Sequence, residues 1–294
     1  MKDRGALSAI RHVRRLAGGT QPQLIRASDG NLYVAKFKNN PRHIRVLASE
    51  FLATRLGLWL GLPMPQVGMI EVSEWLVAHS PELGIEIGET VVPCSSGLQF
   101  ASPYVGNLEQ NCVLDSVPAD MLDVVVNRLD LARVLVFDKW AGNCDRRQAI
   151  FARRGIYGPY DMTFIDQGYC FNAGQWTFPD LPLLGTYHRD YVYSDVIGWE
   201  SFEPVLSRIE AMDCTVLWKV AIEVPQEWYQ YDAEGLCRLV ETLYSRRLMV
   251  RDLVASFRDF TPTSFPNWRS SLKGHVERHP CRKHASRSSY LGGG

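Results

Sequence analysis

The feature that most constrains the fold is a long apolar segment that ends in a cluster of polar side chains. Residues 119–142, ADMLDVVVNRLDLARVLVFDKWAG, are apolar nearly all round a helix, which predicts one buried helix there. Directly after it, NCDRRQ is polar, and the chain then returns to core-type residues in the strand-like AIF. A polar cluster bracketed in this way must be solvated, paired in a buried network, or used for chemistry.

The first hundred residues have a different pattern, which is typical of an antiparallel sheet. PQLIRASDGNLYVAKFK predicts a hairpin, because Asp29, Gly30 and Asn31 supply the positive φ that a tight turn needs. Alternation along the second strand places Lys36 on the face opposite its neighbours. PRHIRVLASEFLATRLGLWLGLPMP then predicts one helix that carries Glu50 beside its apolar stripe. QVGMIEV, EWLVAHS and ETVVPC are interpreted as short strands.

Together these patterns predict an α+β protein with two lobes. We expect an amino-terminal antiparallel β lobe with one helix over residues 1–103, and a larger, mainly helical lobe over residues 104–268. Helical periodicity in FEPVLSRIEAM and AEGLCRLVETLYSRRLMVRDLVASF supports the second lobe. Residues 269–294 are basic and poor in core residues, which predicts a disordered tail.

Composition restricts the class of function and the compartment. The chain has 32 Lys and Arg against 32 Asp and Glu, so no overall field favours nucleic acid or an anionic membrane. No apolar run is long enough for a signal peptide or a membrane span. Seven dispersed cysteines without a CxxC pattern indicate reduced thiols. These features predict a cytoplasmic protein with no membrane and no specific nucleic acid as partner.

Five polar features follow one another along the chain, and each alone has an ordinary structural explanation. A glycine pair is most often a turn, a strand lysine can extend to solvent, and an aspartate often caps a helix or starts a turn. The features are Gly18-Gly19, Lys36, Glu50, Asp145 and Asp166.

The order and spacing of these features favour phosphoryl transfer. That reaction needs backbone donors for the phosphates, a lysine fixed by a carboxylate, a carboxylate near the attacking hydroxyl, and oxygen ligands for Mg²⁺. Lys36 and Glu50 are fourteen positions apart, on a strand and the next helix, so the helix can fold back and bring them together. Asp145 and Asp166 each adjoin an apolar segment, as expected for two carboxylates at the mouth of one cleft.

At these motifs the chain resembles the HipA-like kinases, which are related to protein kinases and phosphatidylinositol 3-/4-kinases. The resemblance rests on GGTQPQL, LYVAKFK, EFLATRLGLWLGLPMP, FDKWAGNCDRR and FIDQGYCF, and it ends near residue 267. It implies a two-lobed, protein-kinase-like fold that uses ATP and Mg²⁺. The implied acceptor is a Ser or Thr hydroxyl of a protein, including the chain itself. An antitoxin-like protein is a candidate partner.

The resemblance also implies a role for each matching residue. Asp145 would be the catalytic carboxylate, Lys36 would hold the nucleotide phosphates, and Glu50 would orient Lys36. The implied metal ligands are Asp166 with Gln148 or Asn143. The implied nucleotide contacts are Gly18, Gly19, Thr20, Gln21, Lys36, Phe100, Ala101 and Ser102.

Two positions depart from the family pattern. Family members usually carry a metal-binding Asn five residues after the catalytic Asp, where this chain has Ile150, and Arg147 stands where His is frequent. Gln148 or Asn143 could supply the missing oxygen. A second hypothesis is therefore a catalytically degenerate pseudokinase or interaction module. A third, a kinase of a lipid or small-molecule hydroxyl, shares the same phosphate chemistry.

Two further patterns suggest chemistry but have simpler explanations. The tail holds residue types that suit zinc, at His275, His279, Cys281 and His284. It lacks a second knuckle or an apolar core, so a solvated tail with weak affinity for anions is favoured. Cys144 adjoins Asp145, but no His occurs between His79 and His188, which favours a small apolar filler over a nucleophile.

Overall fold

The structure, a computed structural model, describes residues 7–106, 113–187 and 189–269. The strands of its amino-terminal part are β1 (Ala9–Arg15), β2 (Gln23–Ala27), β3 (Leu32–Lys36), β4 (Gly68–Val72), β5 (Gly84–Ile87), β6 (Thr90–Pro93) and β7 (Gly97–Pro103). Five of them form an antiparallel sheet in the order β1-β2-β3-β7-β4. The other two, β5 and β6, pair with each other as a separate hairpin.

The predicted hairpin forms between β2 and β3. Its turn contains Gly30 at a φ of 82°, and the Asn31 backbone N–H donates to Asp29 Oδ1 at 2.9 Å. Along β3, Ala35 is fully buried in the apolar core of the sheet. Because successive side chains alternate, Lys36 projects from the opposite face of the sheet.

The helix predicted to carry Glu50 is α1 (Arg45–Leu60), which ends at Gly61 in the left-handed conformation. This helix also joins the sheet to the rest of the molecule. Phe51 packs edge-on against the ring of Trp228, with 6.1 Å between ring centroids. Arg45 Nη2 lies 2.7 Å from Asp232 Oδ2. The position of Glu50 is therefore fixed by contacts to both parts of the chain.

Two features of the amino-terminal part differ from the predictions. EWLVAHS is wrong as a strand, because residues Glu74–Ala78 form a short helix, α2. Ser73 caps it by accepting a hydrogen bond from the Leu76 backbone N–H, and Glu74 lies in its first turn, where the helix dipole favours a carboxylate. In addition, β1 was not predicted, since its exposed face is largely arginine.

The second part of the chain combines helices with a small sheet. Its helices are α3 (Asp130–Ala141), α4 (Val205–Glu210), α5 (Cys214–Ala221), α6 (Ala233–Arg246) and α7 (Val250–Phe260). Its strands are β8 (Val113–Leu114), β9 (Gln148–Arg153) and β10 (Tyr160–Ile165), in the order β10-β9-β8. The antiparallel pair β9 and β10 places the segment before β9 next to the segment after β10.

The single helix predicted over residues 119–142 is wrong in its first half. Residues Ala119–Val124 form a 3₁₀ helix, and α3 begins only at Asp130. Between them, the Asn127 side chain bonds to both the N–H and the C=O of Met162 on β10, at 2.9 Å each. A run of three valines, which are stiff at χ1 and weak helix formers, precedes this contact. Within the predicted segment, the part that forms α3 is buried nearly all round, as the apolar pattern requires.

No helix among the described residues has the length and apolarity that a membrane span requires.

Candidate active site

A cleft of about 270 Å³ lies between the face of the sheet that carries Lys36 and the β9–β10 pair. Its walls bring together residues from widely separated parts of the chain. The sequence-predicted residues that line it are Gly18, Gly19, Thr20, Lys36, Glu50, Phe100, Ser102, Asp145, Gln148 and Asp166. Sites for small molecules are commonly concave and have a few convergent polar groups, and this cleft has both properties.

Lys36 is the centre of the polar groups in the cleft. Its Nζ donates to Glu50 Oε2 at 2.7 Å and to Asp166 Oδ1 at 2.8 Å. Lys36 and Glu50 are buried, with 7% and 6% of their side chains exposed, whereas Asp166 keeps 27%. Of the three groups, the Asp166 carboxylate is therefore the most accessible to a ligand in the cleft.

Glu50 is held by the segment that follows β10 as well as by Lys36. Its Oε1 accepts a hydrogen bond from the Gln167 backbone N–H at 3.0 Å. The next residue, Gly168, passes so close that a Cβ there would lie 2.8 Å from Glu50 Oε2. Any larger residue at position 168 would displace the Glu50 carboxylate or α1.

The charges in this group adjust one another's pKa values. Burial alone would lower the pKa of Lys36, but Asp166 and Glu50 outweigh it, so its pKa is raised. The Lys36 ammonium lowers the pKa of Asp166. Burial raises the pKa of Glu50, and Lys36 opposes that effect. Lys36 therefore keeps its positive charge at neutral pH.

Asp145 enters the cleft from the loop between α3 and β9. The loop begins at Gly142 in the left-handed conformation, and the Asn143 side chain then fixes its course. Asn143 Oδ1 accepts from the Asp145 backbone N–H at 3.1 Å, and its Nδ2 donates to Asp138 Oδ1 at 3.0 Å. Asn143 is buried and does not line the cleft. The structure thus places Asn143 behind Asp145, where it holds the loop.

Arg147, at the position where the family often has His, is completely buried. Its Nε donates to Asp138 Oδ2 at 2.9 Å, and its Nη2 also bonds to Asp138. Nη1 reaches the Ile165 carbonyl at 3.2 Å and the Gln167 side chain. Arg147 consequently ties the Asp145 loop to the segment that carries Asp166, and its guanidinium does not face the cleft.

The cleft contains some of the side chains that a divalent cation would need, namely Asp166 and Gln148. Asp166 has a φ of 60°, a left-handed conformation that Asp tolerates, and its Oδ2 accepts from Gln148 Nε2 at 3.0 Å. Asp145 and Ile150 also line the cleft. Across the part of the chain that the structure describes, no three His, Cys, Asp or Glu side chains form a ready metal site. Because the Gln148 amide nitrogen faces Asp166, the amide would have to turn over before its oxygen and the Asp166 carboxylate could both face a cation such as Mg²⁺.

The loop before β2 forms one rim of the cleft. We name residues 16–22 the glycine loop; Gly18 lies at a φ of 142°, a conformation that favours glycine. Of the eight predicted nucleotide contacts, Gln21 and Ala101 do not line the cleft. Ala101 belongs to the apolar core of the sheet, because alternation along β7 directs only Phe100 and Ser102 towards the cleft.

Several lining residues were not predicted from the sequence. They lie on loops or at strand ends, where no periodic pattern marks them: Arg42, Pro103, Tyr104, Val105 and Tyr169. The Arg42 guanidinium lies against the glycine loop, since a Cβ on Gly19 would be 2.8 Å from its Nη2. The Arg42 guanidinium thus adds a positive charge to the cleft beside the backbone N–H groups of the glycine loop.

The remaining predictions concern residues away from the centre of the cleft. Cys144 is half-buried, its Sγ lies 3.3 Å from the Tyr169 carbonyl oxygen, and burial raises the pKa of its thiol. A raised pKa disfavours the nucleophilic thiolate. The His and Cys pattern of the tail lies outside the described residues.

Comparisons with known proteins bear on the fold and the family. Residues 10–154 match the family described as HipA-like kinase. A search of curated proteins found no match. Among solved structures, the Golgi casein kinase aligns with a TM-score of 0.53 at 11% identity, covering 86% of this chain and 72% of that one.

Two bacterial structures are also similar. The proinflammatory kinase CtkA of Helicobacter pylori aligns with a TM-score of 0.50 at 11% identity, covering 89% of this chain and 99% of that one. HipA of Shewanella oneidensis MR-1, solved with HipB and operator DNA, aligns with a TM-score of 0.43 at 12% identity, covering 87% and 75%. The alignments with the Golgi casein kinase and with CtkA confirm the predicted α+β, protein-kinase-like fold. With the match over residues 10–154, the resemblance of this chain to the HipA-like kinase family is confirmed.

Proposed function

We propose that the chain is a kinase that transfers the γ-phosphoryl group of ATP, with Mg²⁺, to a Ser or Thr hydroxyl of a protein, including its own. The observation that carries this proposal is the position of Lys36. A buried ammonium held by two carboxylates projects into a cleft whose rim is a glycine loop. We propose with it that the two lobes meet near residue 103, at the end of β7.

The cleft divides into an apolar and a charged part, which suit the two ends of a nucleotide. Phe100, Tyr104 and Val105 line it at the end of β7 and offer apolar surface for a base. Lys36 and the glycine loop offer a cation and backbone N–H groups for phosphates. When bound, ATP would supply the phosphoryl group, and Mg²⁺ held by Asp166 and Gln148 would neutralise its charge.

Asp145 would orient the acceptor hydroxyl and accept its proton. Asn143 holds the Asp145 backbone N–H, and Asp145 Oδ1 accepts from the Arg146 backbone N–H at 2.8 Å, so the protein itself holds this carboxylate. Lys36 would stabilise the negative charge that develops on the transferred group, an electrostatic effect that depends on a donor already in place. Glu50 would keep Lys36 in that place. An antitoxin-like partner and a cytoplasmic location stay predictions from the sequence.

Ile150 favours a second candidate, a pseudokinase that keeps the cleft and has lost turnover. Its side chain lines the cleft beside Gln148 and Asp166, and it has no oxygen for a cation. Such a protein would bind nucleotide without transferring phosphate.

Purified protein incubated with Mg²⁺ and γ-labelled ATP separates the two candidates. We expect label on the protein itself or on an added Ser/Thr-containing protein. Asp145→Ala and Asp166→Ala should each reduce transfer by about 10³-fold or more while the circular dichroism spectrum is unchanged. Asp161→Ala is the matched control, because Asp161 lies on β10 but pairs with Arg154 outside the cleft.

Nucleotide binding without transfer in the wild type would favour the pseudokinase. Equal transfer by the wild type and both cleft variants would show that this cleft is not the site of the reaction.

A further inference from the structure

The side chain of Gln21 turns away from the cleft and pairs with the hairpin formed by β5 and β6. Its Nε2 donates to the Glu86 carbonyl oxygen at 2.8 Å, and its Oε1 accepts from the Glu86 backbone N–H at 2.8 Å. The Gln21 amide thus satisfies both backbone groups of one strand residue, as a neighbouring strand would. These bonds join residues 65 positions apart.

Two neighbouring contacts reinforce the same connection. Gln23 is fully buried, and its Nε2 donates to the Gln21 carbonyl at 3.1 Å and to the Gly84 carbonyl on β5 at 3.2 Å. Arg15 Nη2 lies 2.6 Å from Glu86 Oε1. Both ends of the glycine loop are therefore attached to the β5–β6 hairpin.

The hairpin itself is anchored and does not depend on these bonds for its position. Ile85 is fully buried in the apolar core of the sheet, together with Leu83 and Cys94 at the base of the hairpin. By contrast, Ile87 and Val91 are exposed near its tip. The hairpin is thus anchored at its base on one side of the glycine loop, and the cleft lies on the other side.

We propose that the β5–β6 hairpin holds the glycine loop over the cleft through Gln21, which is a positioning residue and makes no contact with nucleotide. Gln21 has a φ of 51°, so the backbone reverses at this residue and directs its side chain to the hairpin while Gly18, Gly19 and Thr20 face the cleft. The part of this inference that concerns nucleotide rests on the proposed function.

Hydrogen exchange of the ligand-free protein tests whether Gln21 holds the loop. Gln21→Met keeps the length of the side chain and removes both bonds to Glu86. The amides of Leu16 and Gln21, which bond to the Pro22 and Gly18 carbonyls at 2.8 and 3.0 Å, should then exchange about tenfold faster. Thr90→Val is the matched control, because Thr90 Oγ1 bonds only within the hairpin, to the Ile87 carbonyl at 3.0 Å.

Measurements of nucleotide affinity test whether the glycine loop must be attached to the hairpin in order to bind nucleotide. Gln21→Met should raise the dissociation constant and the KM for ATP about tenfold while kcat changes less than about twofold, because only a fraction of molecules would have the loop in place. Thr90→Val should leave both constants unchanged. A merely structural role for Gln21 would lower the melting temperature without this separation of KM from kcat.

Unchanged exchange of the Leu16 and Gln21 amides in Gln21→Met would overturn the inference, whether or not the protein binds nucleotide. Faster exchange with unaltered nucleotide affinity would overturn it as well, since the loop would not need the hairpin to bind. If the wild type binds no nucleotide, the proposed function fails, and the exchange result still decides whether the hairpin holds the loop.

Discussion

Lys36 and Lys139 are buried to the same extent, with 6% of each whole residue exposed, yet carboxylates contact only the ammonium of Lys36. Lys36 contacts two carboxylates, whereas the Nζ of Lys139 donates to the carbonyl oxygens of Pro182 and Leu184 at 2.6 and 2.5 Å. Burial lowers the pKa of Lys139 to about 8, although Asp138 and Asp180 oppose the shift. The pKa of Lys36 is raised instead.

The two lysines also face different spaces. Lys36 opens on the cleft of about 270 Å³, whereas Lys139 adjoins a cavity of only about 20 Å³. A cavity of that size holds about one water molecule. Burial of a lysine therefore does not by itself mark a functional group. The carboxylates that keep it charged, and the open space in front of it, distinguish Lys36.

The largest expected effect concerns phosphoryl transfer by the two lysine variants. Lys36→Met should reduce transfer by about 10²- to 10³-fold, because it removes the cation that stabilises the developing charge. Lys139→Met serves as the matched control and should change transfer by less than about threefold. Initial rates with γ-labelled ATP measure both. Equal losses of the transfer rate in the two variants would mean that the carboxylates and the cleft around Lys36 do not set its role apart from that of Lys139.

A smaller effect is expected in the pH dependence of stability. Because the pKa of Lys139 is about 8 in the folded protein and about 10.4 in an unfolded chain, the unfolded state binds more protons between these values. The free energy of unfolding should therefore rise with pH in this window, by up to about 3 kcal/mol relative to Lys139→Met.

Urea unfolding of the wild type and Lys139→Met at several pH values from 7 to 10 measures this difference. The tyrosines that titrate at high pH are the same in both proteins, so their effect cancels. A constant difference across the window would show that the carbonyl contacts of Lys139 hold its charge as firmly as the carboxylates hold that of Lys36.

The smallest effect is expected from Ile150→Asn, which adds an oxygen to the cleft wall that faces Lys36. It should lower the Mg²⁺ concentration needed for half-maximal transfer by about tenfold or less. A magnesium titration of the transfer rate measures this change. No change would indicate that Gln148 already completes the ligand set around Asp166.

The contact of Lys36 with Glu50 could be predicted from the sequence because both rest on regular elements. Alternation fixes the face of a strand residue, and the helix that follows packs back on the same sheet. Asp145 and Asp166 were placed near one another for a similar reason, since each adjoins an element of the β9–β10 pair.

Other parts of the site could not be predicted in this way. The sequence motif groups Gln21 with the glycines, but its left-handed backbone sends its side chain to the hairpin. Asn143 is two residues from Asp145, yet a turn at Gly142 buries it. Arg42 lies on a loop without periodicity, and its approach to Gly19 depends on tertiary packing. Side-chain direction in turns is set by individual φ and ψ angles, which spacing does not encode.

Calorimetric titration with ATP and Mg²⁺ tests most directly whether the cleft around Lys36 holds a nucleotide. The wild type should bind one nucleotide per chain, Lys36→Met should bind at least about tenfold more weakly, and Lys139→Met should bind like the wild type. Absence of binding to the wild type, or equal affinity in the wild type and Lys36→Met, would contradict the account.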